Sequence, residues 1–127
     1  MNILKRKDFA RWQAMERVPD AVLCQAVRAM ESGLIDAELG GLLYKMRIAR
    51  PGVGKRCGWR MLLSARIGQR YVFLHGFAKG DKGNITPDEG LALRYAGRVF
   101  LELSGMELIK ALQAGVLLEV CCDKQDH

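Results

Sequence analysis

Residues 42–82 read LLYKMRIARPGVGKRCGWRMLLSARIGQRYVFLHGFAKGDK. Three parts of this stretch alternate as strands do, because successive side chains on a strand point to opposite faces. Leu42, Tyr44, Met46 and Ile48 share one face, and Leu43, Lys45, Arg47 and Ala49 the other. Trp59, Met61, Leu63 and Ala65 alternate with Arg60, Leu62, Ser64 and Arg66. Tyr71, Phe73, His75 and Phe77 alternate with Val72, Leu74 and Gly76. The Gly-rich run RPGVGKRCG (50–58) reads as the loop between the first two strands. Gly68-Gln69 reads as a two-residue turn between the last two, with glycine where a type II′ turn requires it. That turn sets a register in which Arg60 opposes Phe77, Leu62 opposes His75, Ser64 opposes Phe73 and Arg66 opposes Tyr71. One face then gathers Tyr44, Met46, Ile48, Trp59, Met61, Leu63, Val72 and Leu74. The other gathers Lys45, Arg47, Arg60, Ser64 and Arg66 among Tyr71, Phe73, His75 and Phe77.

The same stretch concentrates the charge. It carries ten of the twenty Lys and Arg residues and one acid, Asp81, for a net +9. The remainder, with ten cations and thirteen anions, is −3. A basic field confined to a sheet points to a phosphate-rich partner. Cations interleaved with aromatic rings suit single-stranded nucleic acid, since cations take phosphates and rings stack on bases.

Outward from the sheet, the N-terminal side reads as two helices. Asp8 caps a short helix that shares Phe9, Trp12 and Met15 on one side, and Pro19-Asp20 opens a second with Leu23, Val27, Met30 and Leu34 as its stripe, stopped at Gly33. This hairpin covers the apolar face. Residues 1–7, with Lys5, Arg6 and Lys7, read as a frayed basic tail. On the C-terminal side, Thr86-Pro87-Asp88-Glu89 and Ser104-Gly105-Met106-Glu107 are capping boxes that open two helices. Leu91, Tyr95, Val99 and Leu103 form the first one's apolar stripe. Residues 116–120 read as a last short strand and 121–127 as a frayed tail. The whole is a single α+β domain, 1–127: a helical hairpin on a small, mainly antiparallel twisted sheet, followed by C-terminal helices.

Composition narrows the function. Half the residues are hydrophobic and 27% are charged, as in ordinary globular domains. No apolar run is long enough to span a membrane and no secretory leader is visible. The spacing of Cys24, Cys57, Cys121 and Cys122 matches neither a zinc site nor a disulfide framework, so reduced thiols and a cytoplasmic location are expected. RPGVGK lacks the Ser/Thr and the strand–helix setting of a phosphate-binding loop. The basic sheet has no paired carboxylates, and no metal cluster or cofactor is expected.

The remaining chemistry is metal-free attack on an RNA phosphodiester by its own 2′-hydroxyl. It needs a base, cations around the phosphorane and an acid for the leaving oxygen. Arg60 and Arg47 suit bidentate phosphate contact. His75 exchanges protons near neutrality. Lys45 and Lys79 are further candidate proton-transfer or phosphate groups. Arg50, Lys55, Arg56, Arg66 and Lys82, with Tyr71, Phe73 and Phe77, complete the candidate RNA-binding set.

The segment LLYKMRIARPGVGK, followed by GWRMLLSARIGQRYVFLHGFAKGDKGNITPDE, resembles the RelE/ParE superfamily of type II toxin–antitoxin toxins, in its RelE-like and HigB-like branch. The resemblance runs from about Phe9 to Val120. It implies a small α/β toxin that cleaves mRNA on the ribosome without metal. It also implies a cognate antitoxin, DNA-binding and with an acidic segment that masks the toxin. Lys45 and Arg47 match the family's basic pair, Arg60 the arginine of its G-Y-R strand, and Lys79 the basic position at the next strand's end. The tyrosine some members carry before the C-terminal helix is absent; Ile85 and Thr86 stand there. The superfamily also holds ParE-like gyrase inhibitors. The alternatives to an endoribonuclease are therefore such an inhibitor or a non-toxic nucleic-acid-binding module.

Overall fold

The computed structural model describes residues 2–50, 54–78 and 85–122, with side chains omitted at residues 2 and 54–57. In chain order the elements are β1 (Asn2–Arg6), α1 (Lys7–Glu16), α2 (Asp20–Glu31), β2 (Ala37–Glu38), β3 (Leu43–Arg50), β4 (Gly54–Arg66), β5 (Arg70–Ala78), α3 (Pro87–Leu101), α4 (Gly105–Gln113) and β6 (Leu117–Glu119). They form the expected α+β fold around one sheet of order β2-β3-β4-β5-β1-β6. Among the described strands only the β1–β5 pair is parallel.

The N-terminal residues are not a frayed tail. β1 lies inside the sheet between β5 and β6, with Leu4 buried. Lys5, on the side of the hairpin, donates to Gln13 at 2.7 Å and pairs with Asp20 at 3.0 Å. The run of cations hid an alternation of only five residues. The expected loop 50–58 is also shorter, since β4 begins at Gly54, opposite Arg50 after a register shift.

Helices pack on both faces of the sheet. The hairpin packs Phe9, Leu23, Val27 and Met30 against Tyr44, Met46, Trp59, Met61, Leu63, Tyr71 and Phe73 of the sheet. Gly76 belongs to this face: a Cβ there would stand 2.4 Å from the Trp12 ring, so the bare backbone is what lets the indole lie on β5. Met15 is 79% exposed, and Gln13 takes the buried position on α1, its amide donating to the Val18 carbonyl and Asp20. The opposite face packs Leu4, Leu43, Leu62, Val72 and Leu74 against Leu93, Leu101 and Leu108 of α3 and α4.

This sorting differs from the sequence reading for a physical reason. β4 and β5 pair as expected from Trp59↔Ala78 to Leu62↔His75, but the next pair is Leu63↔Phe73. Leu74 is an extra residue, a β-bulge that flips the parity of everything before it. Tyr71 and Phe73 therefore turn under the hairpin, both fully buried, and Val72 and Leu74 turn under α3. His75 and Phe77 keep their expected face. The bulge is matched at the hairpin end, where Arg66 pairs Arg70 across a three-residue loop rather than the expected two-residue turn. Gly68, with φ of 88°, sits at its centre.

Both capping boxes form, on Thr86/Glu89 and Ser104/Glu107. The stripe of α3 is not the expected one. Leu91, Tyr95 and Val99 are exposed, while Gly90, Leu93, Gly97 and Leu101 are buried. Both sets have helical spacing. The glycine set wins because it brings the helix axis closer to the strands than bulky side chains allow.

Candidate nucleic-acid interface

α3 and α4 cover part of their face of the sheet and leave the rest to polar side chains. Ser64, expected among the cations, is fully buried under Gly97. Past it, two cross-strand rows continue on the same face. One is Lys45–Leu62–His75 and the next is Arg47–Arg60–Phe77. Except for Leu62, which is buried, all these residues are half-buried. The His75 and Phe77 rings are tilted at 42° with centroids 5.9 Å apart. The bulge at Leu74 is what holds His75 and Phe77 here while Tyr71 and Phe73 turn away.

Arg47 and Arg60 are direct cross-strand partners. The residues of the two rows themselves include no carboxylate. The backbone N–H of Arg47 donates to the Asp36 carboxylate, which closes the β3 edge where β2 ends. The Arg47 Nε is buried and has no hydrogen-bond partner among the described residues.

Other expected contacts have structural work instead. Arg50 lies over the Trp59 ring at 5.7 Å, and Trp59 Nε1 donates to Glu16 at 2.9 Å, so this cation belongs to the hairpin side. Arg66 is exposed at the far end of the hairpin, beside Arg70. Arg70 donates to the carbonyls of Phe100, Leu101 and Leu103 and so closes the C-terminus of α3. The Tyr71 hydroxyl donates to Glu31 at 2.6 Å and accepts from the Gly68 N–H at 2.7 Å; burial, then Glu31, raises its pKa. Tyr71 thus stitches the β4–β5 turn to the end of α2. Phe73 stacks on Phe9 at 5.3 Å in the core. Neither ring can meet a base. The side chains of Lys55 and Arg56, and the whole of Lys79 and Lys82, lie outside the described residues.

Two cations join the region that sequence reasoning missed. Arg6 Nε donates to the Leu74 carbonyl at 2.6 Å, which brings a guanidinium to the bulge, next in chain to His75. Its only sequence signal was that Leu4 and Arg6 are two apart on one strand face. Arg94 of α3 donates to the Leu39 carbonyl at 3.2 Å. No sequence pattern singles it out, because its partner is a backbone atom 55 residues away. Between α3 and the rows lies a cleft of about 550 Å³ whose wall includes Leu39, Lys45, Leu62, Phe77, Ile85 and Arg94.

The cysteines correct a further expectation. Cys24 and Cys122 form a disulfide across 98 residues, Cα atoms 5.8 Å apart, and Cys121 beside it is a free, exposed thiol. Spacing could not reveal the pair, because the fold alone brings the segment after β6 against α2. Among the described residues, no helix is long and apolar enough to cross a membrane.

Compared with known families, residues 1–120 match the family model described as the RelE toxin of the RelE/RelB toxin–antitoxin system. No curated protein matches the chain.

Proposed function

The chain belongs to the RelE toxin family, and on that premise we propose that it is the toxin of a toxin–antitoxin pair and cuts mRNA at the two-row cationic face. The observation that carries this reading is the directly opposed pair Arg47 and Arg60, flanked by His75 and Lys45. The register sets the two guanidinium-bearing residues side by side on β3 and β4, where both can reach one phosphodiester. They clamp the scissile phosphate and take up the charge that grows on the phosphorane.

His75 and Lys45 flank Leu62 two strands apart, about 10 Å between Cα atoms by ordinary strand spacing. That separation spans one phosphodiester. The neutral imidazole takes the proton of the ribose 2′-hydroxyl, whose oxygen attacks phosphorus. The bond to the 5′-oxygen breaks, and Lys45 supplies that oxygen's proton. The products are a 2′,3′-cyclic phosphate and a 5′-hydroxyl, and the substrate contributes its own nucleophile. Lys79, from the family motif, adds a phosphate contact. The antitoxin, with an acidic segment, masks this face, and the reaction takes place in the cytoplasm on ribosome-bound message.

Cell-free translation of a reporter tests the proposal. Cut message bearing 2′,3′-cyclic phosphate ends, mapped by primer extension, is the expected result. Intact message with impaired DNA supercoiling overturns it in favour of a gyrase inhibitor. Intact message with neither effect reduces the protein to a binding module.

A further inference from the structure

We propose that the cleft between α3 and the cationic rows is a pocket for one unpaired RNA base, so that this chain reads sequence as well as phosphate; the proposal rests on the RNA reading above. Continuity is the first argument. Lys45 and Phe77 are members of the two rows and also line the cleft, so a strand clamped at Arg47 and Arg60 runs directly past its mouth.

Size and wall chemistry are the second argument. The volume of about 550 Å³ lies in the range in which proteins hold small organic ligands. Leu39, Leu62, Phe77, Ile85 and Leu91 give it apolar walls. The polar groups among its lining are Lys45, Arg94 and Thr86, and no carboxylate lines it among the described residues. An occupant must therefore be flat or compact and apolar while attached to something anionic, which describes a base on its phosphate chain.

Preorganisation is the third argument. Arg94 is fixed by its 3.2 Å bond to the Leu39 carbonyl, so its guanidinium is held at the wall with little rotamer freedom to lose. The Thr86 hydroxyl and the Glu89 carboxylate are turned back on each other's N–H groups by the capping box. Phe77 lines the cleft, with the His75 ring beside it. Stacking on one aromatic side chain changes affinity by roughly tenfold or more.

The test measures binding of a short unstructured 2′-O-methyl RNA, which has no free 2′-nucleophile, and of a set of the same RNA with a single abasic position moved along it. One position is expected at which loss of the base weakens binding roughly tenfold. Leu91→Trp, at an exposed rim position, should fill the cleft and erase that position dependence, whereas Arg60→Ala should weaken all the RNAs alike. Uniform binding of the whole abasic set overturns the pocket and leaves the phosphate reading standing. Position dependence that survives Leu91→Trp also overturns it. If the wild-type protein binds none of these RNAs, either free or presented on the ribosome, the pocket and the RNA reading fall together.

Discussion

Gly97 of α3 sits against Ser64 of β4 so closely that a Cβ on the glycine would stand 1.8 Å from the serine Oγ. This contact sets how near α3 approaches the sheet and therefore the width of the cleft at its N-terminal end. An alanine in a helix is ordinarily worth about 1 kcal/mol over glycine. Here the clash should win: Gly97→Ala is expected to lose about 1–3 kcal/mol, the usual penalty of overpacking. Ser64→Gly in the same chain should restore part of that loss. Urea denaturation of Gly97→Ala, Ser64→Gly and the double variant checks the coupling; additive effects would remove this contact as the determinant.

Arg60→Ala should abolish message cutting while leaving the fold intact, because Arg60 is half-buried and belongs to neither apolar core cluster. His75→Gln should slow cutting about a hundredfold, the ordinary worth of a positioned base, while RNA binding persists. Circular dichroism and RNA affinity measured beside the rate separate the two roles. A His75→Gln protein that cuts at the wild-type rate would return the histidine to a structural role.

Phe73 and Phe77 are four residues apart on β5 and should behave oppositely. Phe73→Ala removes a fully buried ring and is expected to lose about 3–5 kcal/mol of stability. Phe77→Ala should fold nearly as well and bind RNA more weakly. Tyr71→Phe should destabilise by about 1–2 kcal/mol through the lost bonds to Glu31 and Gly68. Thermal melts and RNA titrations on the three variants decide the matter.

Asp20 predicts an acid limb of stability. Burial raises its pKa, but hydrogen bonds from the Cys121 N–H, Gln13 and Lys5, with the Lys5 charge, outweigh that and leave it below its ordinary value of 3.8. A depressed folded pKa contributes stability that is fully present above the unfolded value. That contribution is lost as pH falls below 3.8 through the folded value. Asp20→Asn should therefore lower stability at neutral pH and flatten its decline in this acid window. Denaturation midpoints measured from neutral pH down to acid provide the check, and an unchanged slope would remove Asp20 from the acid response.

The disulfide is directly countable. The protein prepared without reductant should lack two of its four thiols to a thiol reagent under denaturing conditions. Cys122→Ser should lose about 2–4 kcal/mol relative to the oxidised form, the usual worth of such a crosslink. Four reactive thiols in protein purified without reductant would show the pair reduced.

Local patterns in the chain determined much of this molecule. Alternation placed β3, β4 and β5, because a strand's period of two is fixed by its backbone. The two capping boxes placed α3 and α4, because each is satisfied within four residues. The concentration of charge marked the sheet, and the pairs Arg60↔Phe77 and Leu62↔His75 follow from the strand register, whereas the direct pairing of Arg47 with Arg60 came only from the structure. What the tertiary structure decided are matters of relation between distant segments. A single extra residue, Leu74, reversed the faces of Tyr71, Phe73 and Val72, and nothing in the local alternation of β5 marks a bulge, since its cause is the packing on both sides. The buried side of α3 was decided by close approach at Gly97, which a hydrophobicity pattern reads as the weaker stripe. The place of β1, the Cys24–Cys122 bond and the anchoring of Arg94 to Leu39 join residues far apart in the chain. Such contacts exist only once the sheet has closed around them, so no local spacing could encode them.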